Sequence, residues 1–461
     1  MSAEEGVALR LARELVLARE KPLPPAAERA ASAAVLDWFG AAIGGSESEP
    51  VTLLRRAFVP PQDAAPSAGA PLVGTGEATD VSTAALLNGV ASHVLEMDDI
   101  YSPGLYHPGA PTVSAALAVA QQEGATGAAL LRAVAVGYEV GDRIAAAVNP
   151  AHYRYWHTTG TVGCLGAAAA VAELRGLSAE PMAHALTLAA TMASGLQQSF
   201  RSDAMAKPLH SGHAARAGVT AGLAAAAGFT GAADALEGAA GFGEAMGEGG
   251  DWEQVVRPIG HEYLVEHTSV KPYPCCGHTF AAIDGALALR AKPHDLDPGD
   301  IEAIEIETYR TATVVAGNPR PRTPFEARFS APFVVATALL DGNVRLESFR
   351  PERLTDPAVT DLLDRTGLKD SAQFTAPFPR RRGARVTIRT HGGDEHSVTV
   401  PDRKGDPDNP LSESDLIAKF TGLSEPVLGS GRTAEFAAQL SRLSELTDVR
   451  RLVCYRKESD R

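Results

Sequence analysis

The stretch EMDDIYSPGLYHPG crowds Glu96, Asp98, Asp99 and His107 into one short polar segment between two alanine-rich blocks. An acidic pair followed by an imidazole supports two chemistries. Carboxylates and a histidine titrating near neutrality can move protons, and the same groups can ligate a divalent cation. Loops carried on a rigid scaffold are where such chemistry tends to sit. Three more segments set ionisable groups beside Gly, Pro or aromatic residues: His157 in YWHTTG, Lys207 and His210 in AKPLHSGHAA, and Lys271, Tyr273 and His278 in VKPYPCCGHTF.

His157 and Lys207 fall where helices are expected to begin. A helix amino terminus carries unsatisfied amide donors and partial positive charge, so both positions would welcome an anion such as a carboxylate. Lys207 and Lys271 are flanked by Pro rather than set in an exposed charge ladder, which favours a substrate role. The ordinary alternative for His107 and His157 is an imidazole bonded to a carbonyl at a helix end. His210 and His213 share one helix face, a spacing that permits metal binding, although the glutamate of HExxH is missing. The glycine run GFGEAMGEGG follows no strand and lacks a βαβ setting. Neither a P-loop nor a GxSxG elbow occurs.

The elements that must position these groups change character along the chain. Small residues dominate to about Leu236, in helical blocks Ala26–Ile43, Thr83–Glu96, Thr112–Gln122, Gly127–Val148, Thr161–Leu174, Met182–Leu196 and Gly212–Ala227. Alanine has the highest helix propensity and small faces allow close packing, so this half is expected to be a compact bundle. After Tyr273 and Pro274, alternation in Ile301–Tyr309, Ala384–Thr390 and His396–Val400 predicts strands. Helices are expected at Pro332–Leu340 and Asp356–Arg365, with a turn-like connector at Pro324–Ser330. Past the linker DRKGDPDNP, Ser412 and Asp415 mark a helix start.

The expected fold is mainly α: a large all-helical bundle (1–270), a smaller inserted α+β domain (271–402), and C-terminal helices (403–461) that return to the bundle. Two crossing connections of this kind create an interdomain cleft, a common ligand site.

The chain has 461 residues and 45 % hydrophobic content, ample for a core. A net charge of -14 speaks against nucleic acid and anionic membranes as partners. The amino terminus reads as an amphipathic helix, not a signal peptide, and no long charge-free apolar run appears, so a cytoplasmic protein is expected. Four cysteines without a CxxC give no disulfide framework and fit a reducing compartment.

Eight segments in order resemble the MmgE/PrpD family, which contains 2-methylcitrate dehydratase, cis-aconitate decarboxylase and iminodisuccinate epimerase. They are DWFGAAIGG at Asp37, NGVASHVLEMDD at Asn88, HPG at His107, WHTTG at Trp156, AKPLHSGHAA at Ala206, VKPYPCCGHTF at Val270, ARFSAPFVVATALLDG at Ala327 and NPLSESDLIAKF at Asn409. The resemblance implies a homodimer and chemistry without metal or other cofactor. It also implies that His107, His157, Lys207, Lys271 and Tyr273 are catalytic, with Asp98, Asp99, His210, His278 and Phe333 binding substrate.

On this reading the histidines serve as base and acid, in either order, while the lysines hold the carboxylates of a small di- or tricarboxylate and absorb developing charge. The leading expectation is a lyase resembling 2-methylcitrate dehydratase. Decarboxylation of a cis-aconitate-like acid and epimerisation at an α-carbon are the alternatives, with a non-catalytic carboxylate-binding protein behind them. Two departures bear on the choice. Where the decarboxylases and dehydratases this chain resembles tend to have Thr and Tyr, it has Ile100 and Phe333; each change deletes a hydroxyl, and the lost phenolic donor would have to come from Tyr101, Tyr106 or Tyr273.

Overall fold

The computed structural model describes residues 5–60, 69–200, 204–260, 262–291, 297–452 and 454–455. The protein is mainly α and divides into two compact units, residues 1–270 with 412–461, and residues 271–411.

In the larger unit the chain runs through α1 (Val7–Arg19), α2 (Pro25–Gly45), α3 (Glu49–Phe58), α4 (Val81–His93), α5 (Gly109–Glu123), α6 (Gly127–Val148), α7 (Thr158–Leu174), α8 (Ala179–Thr191) and α9 (Ala206–Ala226). The short helices α10 (Phe242–Met246) and α11 (Trp252–Val255) follow, and the helices Glu413–Leu428 and Ser430–Leu440 complete the unit. Its strands β1 (Ala70–Pro71) and β2 (Ala78–Thr79) form only a two-residue antiparallel pair.

Helix α7 is the axis of this unit. It packs against α5, α6, α8 and α9, and every residue from Thr158 to Glu173 is buried. No side chain ahead of Glu173 is larger than leucine, so neighbouring backbones come close. At Gly218 of α9 an added Cβ would lie 2.3 Å from the Ala167 Cβ, so the α7–α9 contact needs glycine there.

Several boundaries differ from the sequence expectation. Helices α5 and α9 begin at Gly109 and Ala206, ahead of the expected Thr112 and Gly212, with Pro111 and Pro208 in their first turns. A missing N–H costs no hydrogen bond there. Helix α4 stops at His93 instead of reaching Glu96, whose φ of 58° is left-handed, and α8 stops at Thr191 instead of Leu196, ahead of Gly195 at φ 139°. The predicted amino-terminal helix begins at Val7, and its first four residues lie outside the described ones.

The smaller unit holds one four-stranded sheet, ordered β4-β3-β5-β6, from β3 (Ile301–Thr308), β4 (Thr366–Asp370), β5 (Ala384–Thr390) and β6 (Glu395–Val400). Strands β3 and β4 are parallel and the other pairs antiparallel. Ile301, Ile304, Ile306, Val386 and Ile388 are buried against α12 (Phe280–Arg290) and the helix Ala331–Asp341. Strand β4, TGLKD, went unanticipated: it is a short edge strand with a glycine at its second position and no apolar alternation. The connector at Pro324 is a short helix, Pro324–Arg328, rather than a turn.

Candidate active site

The EMDD segment follows directly on the end of α4, and its backbone is held from several sides. Lys419 donates to the Met97 carbonyl at 2.6 Å and forms a buried ion pair with Asp37 at 2.5 Å. Ile100 and Ser269 exchange two backbone hydrogen bonds of 2.8 Å, which tie the loop to the segment before residue 270. Asp99 accepts from the Gly109 amide at 3.0 Å and from the Tyr138 hydroxyl at 2.6 Å. A Cβ at Gly109 would lie 2.7 Å from that hydroxyl, so glycine is what lets the loop close on α5.

Around this frame stand four imidazoles. His93, fully buried at the end of α4, places Nδ1 2.6 Å from Asp98 Oδ2, and His107 Nδ1 lies 3.3 Å from the same oxygen. His107 Nδ1 is also 2.7 Å from the Asp99 carbonyl, which can only accept, so the proton sits on Nδ1 and Nε2 carries the lone pair in the neutral ring. The His93 ring stacks on His157 at 5.6 Å and meets His107 edge-on at 5.0 Å. His157, the residue preceding α7, brings Nδ1 3.1 Å from His210 Nδ1, so one of the two rings donates and the other accepts.

Electrostatics favour the neutral form of two of these rings, His157 and His210. Burial, reinforced by His93, Lys207, His107 and His210, pushes the His157 imidazolium well below its ordinary range. His210 is pushed down to about 4, again by burial first and then by His93, His213 and Lys207. Lys207, in the first turn of α9, pairs with Glu96, and both side chains keep some exposure. The left-handed backbone of Glu96 is uncommon for a non-glycine residue, and such strain concentrates at functional sites.

The larger unit thus brings together Asp98, His107, His157, Lys207 and His210, all anticipated from the sequence. Asp98 and Asp99 are buried: Asp98 supports two imidazoles, while Asp99 locks the loop onto α5 and α6. Burial pushes the Asp99 carboxyl up to about 7, with Asp37 and Asp98 adding to the effect against the Tyr138 bond.

Donor atoms of His93, Asp98 and His107 lie within 4.8 Å of one another, the spacing of a possible metal trio. The 2.6 Å separation of His93 from Asp98 is a hydrogen bond, whereas two ligands on one tetrahedral ion with bonds of ~2.1 Å stand about 3.4 Å apart. His210 and His213 do not pair toward a cation either, because His213 Nε2 turns to the Met192 carbonyl at 2.9 Å.

Lys271, Tyr273, His278 and Phe333 belong to the smaller unit. Lys271 is buried, and the Tyr273 hydroxyl donates to Asp284 at 2.7 Å. His278 Nδ1 lies 2.6 Å from the Tyr309 hydroxyl, and burial with Arg382 and Arg403 nearby pushes the ring down to about 3. Phe333 is not a substrate contact: it has no exposed surface and packs in the apolar core, 6.0 Å from the Phe349 ring.

His93 escaped the sequence reading. It lies inside NGVASHVLEMDD, where an imidazole five positions ahead of an acid becomes informative only once the helix is known to end at His93.

Comparison with known proteins gives a helical bundle and histidine cluster of this kind a class. Residues 10–255 match the MmgE/PrpD N-terminal domain and residues 273–444 the MmgE/PrpD C-terminal domain, so the chain belongs to the MmgE/PrpD family. It is similar to the cis-aconitate decarboxylase-like protein oryM of Aspergillus oryzae, with 26 % identity over 409 residues, 83 % of each chain. It is also similar to cis-aconitate decarboxylase of Mus musculus, 29 % identical over 79 % of this chain and 76 % of that one. The Homo sapiens cis-aconitate decarboxylase gives 29 % over 79 % and 77 %. Among the described residues no helix is long and apolar enough to cross a membrane.

Proposed function

We propose that the protein is a lyase acting on a small tri- or dicarboxylate by histidine-mediated proton transfer, with decarboxylation of a cis-aconitate-like acid as the first reading. The observation that carries it is the packing of His107 and His157 around His93 and Asp98, with Lys207 on the adjoining helix. The names of the similar proteins favour decarboxylation over the dehydration that the resemblance first suggested.

In decarboxylation a carbon–carbon bond breaks, carbon dioxide leaves, and the electron pair delocalises toward a neighbouring carboxylate until an imidazolium protonates the carbon. In dehydration a neutral imidazole removes the proton α to a carboxylate, and the hydroxyl leaves as water with a proton from the second ring. Either route needs cations on the carboxylates, a role that Lys207 fits in the larger unit and that the resemblance implies for Lys271. His157, held neutral by its surroundings, suits the base, and His107 then serves as acid. Dehydration stays as the second reading because Ile100 and Phe333 both lack the hydroxyl that the resemblance leads one to expect.

Residues 271–411 are read as an inserted α+β domain, and the assembly as a homodimer, which sedimentation velocity checks. The activity test is a panel of citrate-like and aconitate-like acids with chelator-treated protein. Carbon dioxide release with a new conjugated acid in the ultraviolet supports decarboxylation. The ultraviolet signal without carbon dioxide indicates dehydration, and solvent deuterium uptake with neither indicates epimerisation. No turnover across the panel sinks the reading. His157→Ala is expected to lower kcat by roughly 10²- to 10⁴-fold, the usual worth of a placed base.

A further inference from the structure

We propose that His93 is a positioning residue for His107: by occupying Asp98 Oδ2 it limits the share of that carboxylate that His107 receives. The contacts are unequal. His93 Nδ1 takes the oxygen at 2.6 Å, a short charge-assisted hydrogen bond, while His107 Nδ1 stands 3.3 Å from the same atom and makes its closer bond, 2.7 Å, to the Asp99 carbonyl. His93 has no exposed surface, and its Nε2 is buried without a hydrogen-bond partner among the described residues. A proton on Nε2 would be a buried donor lacking an acceptor, so the ring keeps its hydrogen on Nδ1, aimed at Asp98.

Charged and titratable groups face His107 from several elements. Asp98 and Asp99 face it from the loop, His93 from the end of α4, and His157 from the start of α7. Lys207 and His210 act from α9 through their proximity to His157. Asp98 is the acid with a side-chain oxygen near the His107 ring, and Asp99 offers it a backbone carbonyl while its own carboxyl turns to Tyr138 and Gly109. Removing the His93 donor therefore releases Asp98 toward His107 and favours the charged imidazolium. Sharing Asp98 keeps His107 able to give up its proton, which the acid of the proposed reaction must do.

The link to catalysis rests on the proposed lyase reading, whereas the titration of His107 does not. The experiment follows the His107 imidazole by nuclear magnetic resonance in full-length, substrate-free protein, assigned by its loss in His107→Gln. In His93→Phe, which keeps a ring beside His157 but has no donor, the His107 midpoint is expected to move to higher pH by roughly half a unit or more. In His93→Asn, whose amide N–H stands where Nδ1–H did, it is expected to stay near the wild-type position. If His93→Phe does not fold, His93→Leu takes its place.

In an Asp98→Asn background the same His93 change is expected to leave His107 unmoved. Equal His107 midpoints in wild type and His93→Phe overturn the proposal, and so does a shift that persists without the Asp98 carboxylate. Where turnover is measurable, the alkaline limb of kcat/KM, where the acid loses its proton, is expected to move up with the His107 midpoint in His93→Phe and to return in His93→Asn. An inactive wild type would defeat the lyase reading while leaving the titration result standing.

Discussion

Burial lifts the Asp99 carboxyl to about 7, whereas an unfolded chain releases that proton near its ordinary value of 3.8. Between those two values the folded chain binds the extra proton, so this residue's contribution to stability declines as pH rises through that window. Asp99→Asn removes the titration and is expected to flatten the stability difference between pH 5 and pH 8, read from urea midpoints. Wild type losing no more stability over that range than the variant would refute the assignment. At this scale the sequence exposed His107, His157 and Lys207, because Pro, Gly or an aromatic residue beside each marked a loop or helix start. It concealed His93 and which of Asp98 and Asp99 meets which imidazole, since that depends on the turn after α4. That turn contains a left-handed glutamate that no local pattern announced.

Elements rather than side chains decide where the EMDD segment sits. Lys419, on the helix Glu413–Leu428, joins α2 to the loop through Asp37 and the Met97 carbonyl, and both charged side chains are buried. Lys419→Met leaves the Asp37 carboxylate without this cation, a change expected to cost about 3–5 kcal/mol in denaturant unfolding. Activity should fall with it, and adding Asp37→Asn should restore part of the stability but not the anchoring of Met97. Recovery of full activity in the double variant would show that the loop needs no such tie. Gly218→Ala is expected to force α7 and α9 apart and cost about 1–3 kcal/mol, as overpacking does. Helix existence could be read from small-residue blocks and Ser412 with Asp415 as a cap. Boundaries erred where prolines could be absorbed into a first turn or where a left-handed residue ended a helix, and strand β4 was invisible because its pairing, not its composition, makes it a strand.

The larger unit is assembled from two stretches of chain separated by residues 271–411. Helix α2 packs against Glu413–Leu428, and Phe39 meets Phe436 edge-on at 5.0 Å, so core and closing helices are one structure. A chain stopped after Leu411 is expected to lack cooperative unfolding and near-ultraviolet dichroism, even with its helical segments partly formed. A sharp thermal transition in that truncation would argue that the closing helices are an accessory. The family resemblance was readable across both stretches of chain, since its eight segments extend from Asp37 to Phe420. What those segments could not disclose is that Asp37 and Lys419, near opposite ends of that span, form a pair. The bond from Lys419 to the Met97 carbonyl bridges 322 positions of sequence. On a ribosome the histidines and acids of the site emerge long before that lysine does. The nascent protein therefore carries Asp37 and the EMDD turn unclamped while the whole smaller unit is still being made, and the site matures only when synthesis passes residue 419.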